Sequence, residues 1–232
     1  MLAQAGGKVI ATITVEDSPL WATYNPGNGL IYVPNDGSDS VTVIDQDNEV
    51  IDTVEAGDRP RDITHNPENG YVYVVNGGSG TLSVLNQDNE VIDTVNVGDF
   101  PCAAVYNPGN GLLYATRGGF TGKLENISVL NQDNEVIDTV NVGDFPFSIT
   151  YNGGNKYLYV VNSWEPGAGT VSVIGTLIPP FSGILGSGNN INIQSQENSG
   201  DIVGGQPGFG GTYSDSPILQ GQTTEQDSQL VS

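Results

Sequence analysis

Apolar and polar residues alternate along most of the chain in short runs of β-branched and aromatic residues, and clusters of Asn, Gly and Pro cut those runs every ten residues or so. Arg61–His65 leads through Asn66-Pro67-Glu68-Asn69-Gly70 into Tyr71–Val75. Asn76–Gly80 then turns into Thr81–Leu85, and Gln87–Asn89 turns into Val91–Val95. Period-two alternation broken by such turns predicts a meander of four antiparallel strands, and no helical period competes with it.

The same paragraph is written four times. DQDNEVIDTV at 45–54 returns as NQDNEVIDTV at 86–95 and 131–140, and YNPGNGLIYV at 24–33 returns as HNPENGYVYV, YNPGNGLLYA and YNGGNKYLYV. Marked by Asn25, Asn66, Asn107 and Asn152, the steps are 41, 41 and 45 residues, the last lengthened by an insertion around Phe120–Glu125. A period of this size is that of a repeat architecture. One four-stranded unit cannot cover both faces of its own sheet, so neighbours must stack, and stacking around an axis also limits exposed edges.

The runs YVYVVNGGSGTLSVL (71–85) and YLYVVNSWEPGAGTVSVI (157–174), with the VIDTVNVGDFP block, resemble the YVTN family of β-propeller repeats over roughly residues 8–175. The resemblance implies a propeller, and a surface-exposed binding or layer protein of a kind often found in archaea. It implies little about chemistry, because fold does not fix function.

The expected architecture is all-β: a β-propeller of four four-stranded blades of about 41 residues each, plus an irregular C-terminal tail. Lys8–Glu16 (KVIATITVE) aligns with the outer strand Glu49–Glu55, while the last copy stops after its third strand at Ile174. The N-terminal strand is therefore expected to pair with Thr170–Ile174 and close the ring; an open arc completed by another subunit is the alternative. The domains are expected at 1–176, the propeller, and 177–232, an extended low-complexity tail. That tail is rich in Gly, Ser, Gln and Asn, lacks Lys and Arg, and holds too few apolar residues to fold alone. Phe181, Ile184, Leu185, Ile191, Ile193, Phe209 and Leu219 are its candidate assembly anchors.

Charge restricts the partners. Twenty-seven acidic residues against six basic ones give a formal charge of −21, which opposes nucleic-acid phosphates and anionic membranes. The low lysine content fits a protein from a salt-rich setting, or an ordinary acidic extracellular one. No stretch approaches a membrane span, and Met1–Ala5 is neither a charged n-region nor an apolar core, so no Sec signal and no membrane insertion are expected. A virion component would reach an exterior surface without export.

Candidate chemistry is sparse. His65, the sole histidine, replaces Tyr24, Tyr106 and Tyr151 of the other copies and reads as a structural substitution. A lone Cys102 excludes an internal disulfide, and its place in an innermost strand reads as a small buried residue. The GGFTGK stretch at 118–123 falls short of a phosphate loop, and Asn126-Ile127-Ser128 is one glycosylation sequon. Asp17, Asp58, Asp99 and Asp144 each precede Pro19, Pro60, Pro101 and Pro146 by two residues. In a closed ring four such carboxylates would share one face, where they could hold Ca2+ through oxygen ligands or simply make local turn hydrogen bonds. The DQDNE turn at 45–49 lacks the glycine of a calcium loop and reads as a solvated hairpin.

Channel-side positions are expected to repeat rather than diverge, which argues against a propeller enzyme with a metal at its mouth. The expected function is a non-enzymatic surface-displayed structural, recognition or adhesion module: a decoration, turret or spike-like part of a virion from a salt-adapted host, or a cell-surface layer protein. Its expected partners are proteins of a capsid, layer or homo-oligomer, with cell-surface glycans or receptors as further candidates.

Overall fold

The computed structural model describes residues 7–118, 126–163 and 169–175. Those residues contain strands and turns and no helix. The first sheet is β1 (Thr23–Asn25), β2 (Leu30–Asn35), β3 (Ser40–Ile44) and β4 (Val50–Glu55), in spatial order β1-β2-β3-β4. The second is β5 (Pro60–His65), β6 (Val72–Asn76), β7 (Thr81–Leu85) and β8 (Val91–Asn96); the third is β9 (Ala104–Asn107), β10 (Leu112–Arg117), β11 (Asn126–Leu130) and β12 (Val136–Asn141). The fourth has three described strands: β13 (Pro146–Asn152), β14 (Tyr157–Asn162) and β15 (Thr170–Gly175). Every pairing within a sheet is antiparallel between sequence neighbours, so the strands expected in the second repeat lie within about a residue of those observed.

Side chains of the turns explain why the meander bends where it does. Asn25, Asn66, Asn107 and Asn152 each accept, through Oδ1, a hydrogen bond from the backbone N–H two residues on, at 2.8–2.9 Å. This Asx turn seeds the first hairpin of every copy. The outer hairpin is built likewise: Asp45, Asn86 and Asn131 each cap two backbone amides. Asn48, Asn89 and Asn134 then take the left-handed conformation that asparagine tolerates. The DQDNE carboxylate at Asp45 is thus spent on its own turn, as the hairpin reading expects.

The core lies between sheets. Tyr32, Val41 and Val43 of the first pack on Ile63, Val72, Val74 and Leu85 of the second. Tyr73, Val75, Leu82 and Val84 of the second pack on Ala104, Leu113, Ala115 and Leu130 of the third, and Tyr114, Ile127 and Val129 of the third on Ile149, Leu158 and Val160 of the fourth. One face of each sheet, here the leading face, therefore meets the trailing face of the next. Two tyrosines also reach over the joint: Tyr32 Oη donates to Asn89 Oδ1 at 2.8 Å, and Tyr73 Oη to Asn134 Oδ1 at 2.9 Å. Inside a sheet, the buried amides of Asn35, Asn76 and Asn162 each donate to two hydroxyls of the neighbouring strand, such as Thr81 and Ser83 for Asn76.

Ring closure by the N-terminal strand is corrected. Residues 8–16 form no strand and do not pair with β15, whose outer edge is unpaired among the described residues. The leading face of the fourth sheet explains it: Val171 and Val173 are each 55% exposed, whereas their counterparts Leu82 and Val84 are fully buried. With nothing of the first sheet against that face, the N-terminal segment stays on its own side, tied through the Asp17 N–H to Ser38 Oγ and by the Pro19–Asn35 bridge. The sequon asparagine Asn126 is buried in the third sheet, which leaves no room for a glycan in the folded chain. The tail 177–232 with its seven candidate anchors, and the insertion at 120–125, lie outside the described residues.

Candidate functional site

Each innermost strand is entered through an Asp-X-Pro link, and the link is laced to the β2–β3 type of turn within the same sheet. The Asp17 and Asp58 amides donate to Ser38 and Ser79 hydroxyls at 2.9 Å, and their carbonyls accept from Gly37 and Gly78. The X residues Ser18, Arg59, Phe100 and Phe145 all take positive φ, between 49° and 55°, and their carbonyls accept from the same turns. A left-handed residue in every link turns the chain sharply into the inner strand, so it is a device of the fold rather than of one site.

The four link carboxylates are not brought together. Asp17, Asp58, Asp99 and Asp144 are all exposed, and among the described residues no three Asp, Glu, His or Cys side chains form a metal-holding group. What the links contribute is backbone: their amides and carbonyls hold the inner strands in place.

The positions just after each proline behave differently. Leu20, Arg61, Cys102 and Phe147 occupy one equivalent position, and Trp21, Asp62, Ala103 and Ser148 the next. All eight of these residues line an open cleft of about 310 Å3, with Ser18, Asp36 and Arg59, or an adjoining one of about 270 Å3, and the two share Trp21, Cys102 and Phe147. Channel-side divergence is therefore present, contrary to expectation. The copies agree at link and core positions and disagree where their inner strands meet.

The cleft has an aromatic wall and a charged wall. Trp21 is 65% exposed and Phe147 46%, large values for side chains of this size, and Phe145 stacks behind Phe147 with ring centroids 6.4 Å apart. Opposite, Asp36 lies 3.5 Å from both the Arg59 and Arg61 Nε atoms. Asp36 takes the place of Gly77 in the second copy, where a Cβ would sit 2.7 Å from Arg61 Cδ, so Gly77 makes the room in which Arg61 lies. Arg61 also directs Nη1 toward the buried Cys102 sulfur at 3.9 Å. Burial raises the Cys102 thiol pKa against the pull of Arg61, so this cysteine is an inert wall rather than a nucleophile.

Asp62 is the unusual acid. Its Oδ2 accepts from the Ala104 amide at 3.0 Å across the sheet joint, yet burial outweighs that bond and lifts its pKa from 3.8 to about 6. The folded chain consequently holds a proton between about pH 4 and 6 that the unfolded chain releases, so stability falls as pH rises through that window and the ionised carboxylate is a cost above it. Asp62→Asn should stabilise the protein at pH 7 by about 1–2 kcal/mol, a figure discounted for partial solvent access. The gain should vanish below about pH 4 in urea melts run across pH. An Asp62→Asn gain that persists at pH 3 would mean that packing, not charge burial, carries the effect.

His65 sits away from this cleft, on a turn-side hollow of about 400 Å3 with Pro26, Pro67 and Glu68. Burial lowers its pKa, which fits the structural reading.

Neither a family model nor a curated protein matches the chain. Solved structures do. Hydrazine synthase of Kuenenia stuttgartiensis aligns over 73% of this chain and 49% of its own, with a TM-score of 0.64 and 22% identity. The WD40 domain of Toxoplasma gondii coronin aligns over 62% and 40%, at TM-score 0.52 and 14% identity. A chain of the mitotic checkpoint complex aligns over 66% and 49%, at 0.59 and 11%. The fold is that of a β-propeller. At such identities the likeness carries the fold alone, and this chain spans about half the length of the propellers it matches.

Proposed function

We propose that the protein is a non-enzymatic recognition propeller that binds a polar ligand with a flat apolar face, a neutral glycan above all, in the cleft between Trp21 and Arg61. The observation that carries this reading is the divergence of the four blades at the inner-strand positions, which sets an exposed tryptophan and phenylalanine against hydrogen-bonding carboxylates and guanidinium. Aromatic faces stack on apolar ligand faces while fixed polar groups set orientation, the usual anatomy of a small-ligand site. The overall charge of −21 disfavours anionic ligands. Display on the exterior of a virion or cell, as an attachment or layer component, rests on the acidic, lysine-poor composition and on the resemblance to surface-type repeats.

The test is a panel of neutral glycans titrated against the full chain, followed by tryptophan fluorescence in a Trp164→Phe background so that Trp21 reports alone. A binding glycan should shift Trp21 emission, and Trp21→Ala should weaken its binding tenfold or more, the order expected for a central aromatic anchor. Glycan binding that survives Trp21→Ala and Phe147→Ala together would move the site elsewhere.

A further inference from the structure

The two ends of the array carry opposite halves of one joint. On the leading face of the fourth blade, Tyr157, Val161, Val171 and Val173 are 41–55% exposed, although the residues in their places in the second and third blades are mostly covered by the next blade. On the trailing face of the first blade, Val33 and Ile44 are buried, but Ala22 and Tyr24 are exposed and Ile31 only half buried, while Ile63, Ala104 and Ile149 in the place of Ala22, and Val72, Leu113 and Leu158 in the place of Ile31, are buried. Between blades one and two, two and three, and three and four the chain closes this same joint with these same positions.

Two further features fit the same partner. Among the described residues β15 has an unpaired outer edge, and residues 8–16, an outer-strand sequence by alignment with Glu49–Glu55, have no strand partner, with Val9 and Ile10 largely exposed. Tyr32 and Tyr73 reach forward to Asn89 and Asn134 in the outer turn of the following blade. Tyr159 holds the same forward position in the last blade, and Asn48, exposed in the first, is the equivalent acceptor.

We propose that the fourth blade's leading face is a docking surface for the first blade of a second copy, and that two copies join head to tail into one eight-bladed ring. Each copy gives residues 8–16 to the other as the fourth strand that the described residues of its last blade lack. Two identical joints related by a twofold axis close on themselves, and two copies supply about the length of one matched propeller chain. The joint buries apolar side chains and satisfies a strand edge at once, which is how internal blades are held.

Sedimentation equilibrium of the full chain tests it, in about 0.5 M sodium chloride because two copies of charge −21 repel at low ionic strength. The expected result is a discrete dimer. Val173→Asp on the leading face and Tyr24→Asp on the trailing face should each weaken it roughly a hundredfold while leaving the β circular dichroism unchanged, since both sites are exposed in the single chain. Mixed together, the two variants should recover a heterodimer, because one joint of the pair remains intact. A monomer at high concentration, an open filament, a dimer indifferent to both substitutions, or variants that fail to complement would each overturn the proposal.

Discussion

Tyr73→Ala should cost about 3–5 kcal/mol, among the largest losses any single side chain of this fold can cause. Tyr73 is fully buried in the joint between the second and third blades, packs with Val75, Leu82 and Val84 against Leu113 and Ala115, and donates its hydroxyl to Asn134 on the far blade. Removing it leaves a ring-sized void in a close-packed joint and an unsatisfied acceptor besides. Tyr159→Ala, the same change at the same position of the fourth blade, should cost clearly less in the dilute single chain, because Tyr159 is only half buried. Chemical denaturation of the two variants, measured where protein concentration no longer matters, checks the pair. Equal losses would mean that the fourth blade's face is covered after all.

That contrast also marks what the sequence could tell. Strand positions were legible because each depends on local rules repeated four times: alternation for the strands, an asparagine at each hairpin for the Asx turn, a left-handed asparagine at each outer turn. Burial at the ends was not legible. Val171 and Val173 read like Leu82 and Val84 in any pattern of apolar residues, and only the presence or absence of a neighbouring blade separates exposed from buried. Residues 8–16 likewise carry an outer-strand pattern without stating whose sheet they complete.

The cleft was legible in principle and went unread. The conspicuous repeat of Asp17, Asp58, Asp99 and Asp144 marks invariance, whereas the cleft wall is built by variation three and four positions further on, where Leu20, Arg61, Cys102 and Phe147 stand side by side with Trp21, Asp62, Ala103 and Ser148. In a repeat protein the shared residues hold the frame, and the residues that differ between copies at one end of the axis have been released to do something else. A column-by-column reading of the four copies finds them. What it cannot give is the Asp36 contact with Arg59 and Arg61, since a turn of one sheet meets the link of the next only in three dimensions.

Raising sodium chloride from about 0.01 to 1 M should raise the thermal midpoint by roughly 5 °C or more, corresponding to about 1–3 kcal/mol for a chain of this size. Two electrostatic effects oppose each other here, and their sizes decide the sign. Salt weakens attractive pairs, but pairs such as those of Asp36 with Arg59 and Arg61, at 3.5 Å and partly exposed, are worth at most about 1 kcal/mol each. Salt also screens the mutual repulsion of 27 acidic side chains set against six basic ones, which compaction brings closer than the unfolded chain does. The second effect involves many pairs within the roughly 30 Å Debye length of dilute salt and few within the roughly 3 Å length at 1 M, so repulsion relieved exceeds attraction lost. Chloride is the appropriate anion, because sulfate would strengthen apolar burial by exclusion and give the same sign for another reason. The melts belong at a dilution where the midpoint no longer depends on protein concentration, so that salt acts on the fold and not on association between copies. A flat or falling midpoint under those conditions would show that the acidic surface is already balanced locally, and would remove the case for a protein suited to salt-rich surroundings.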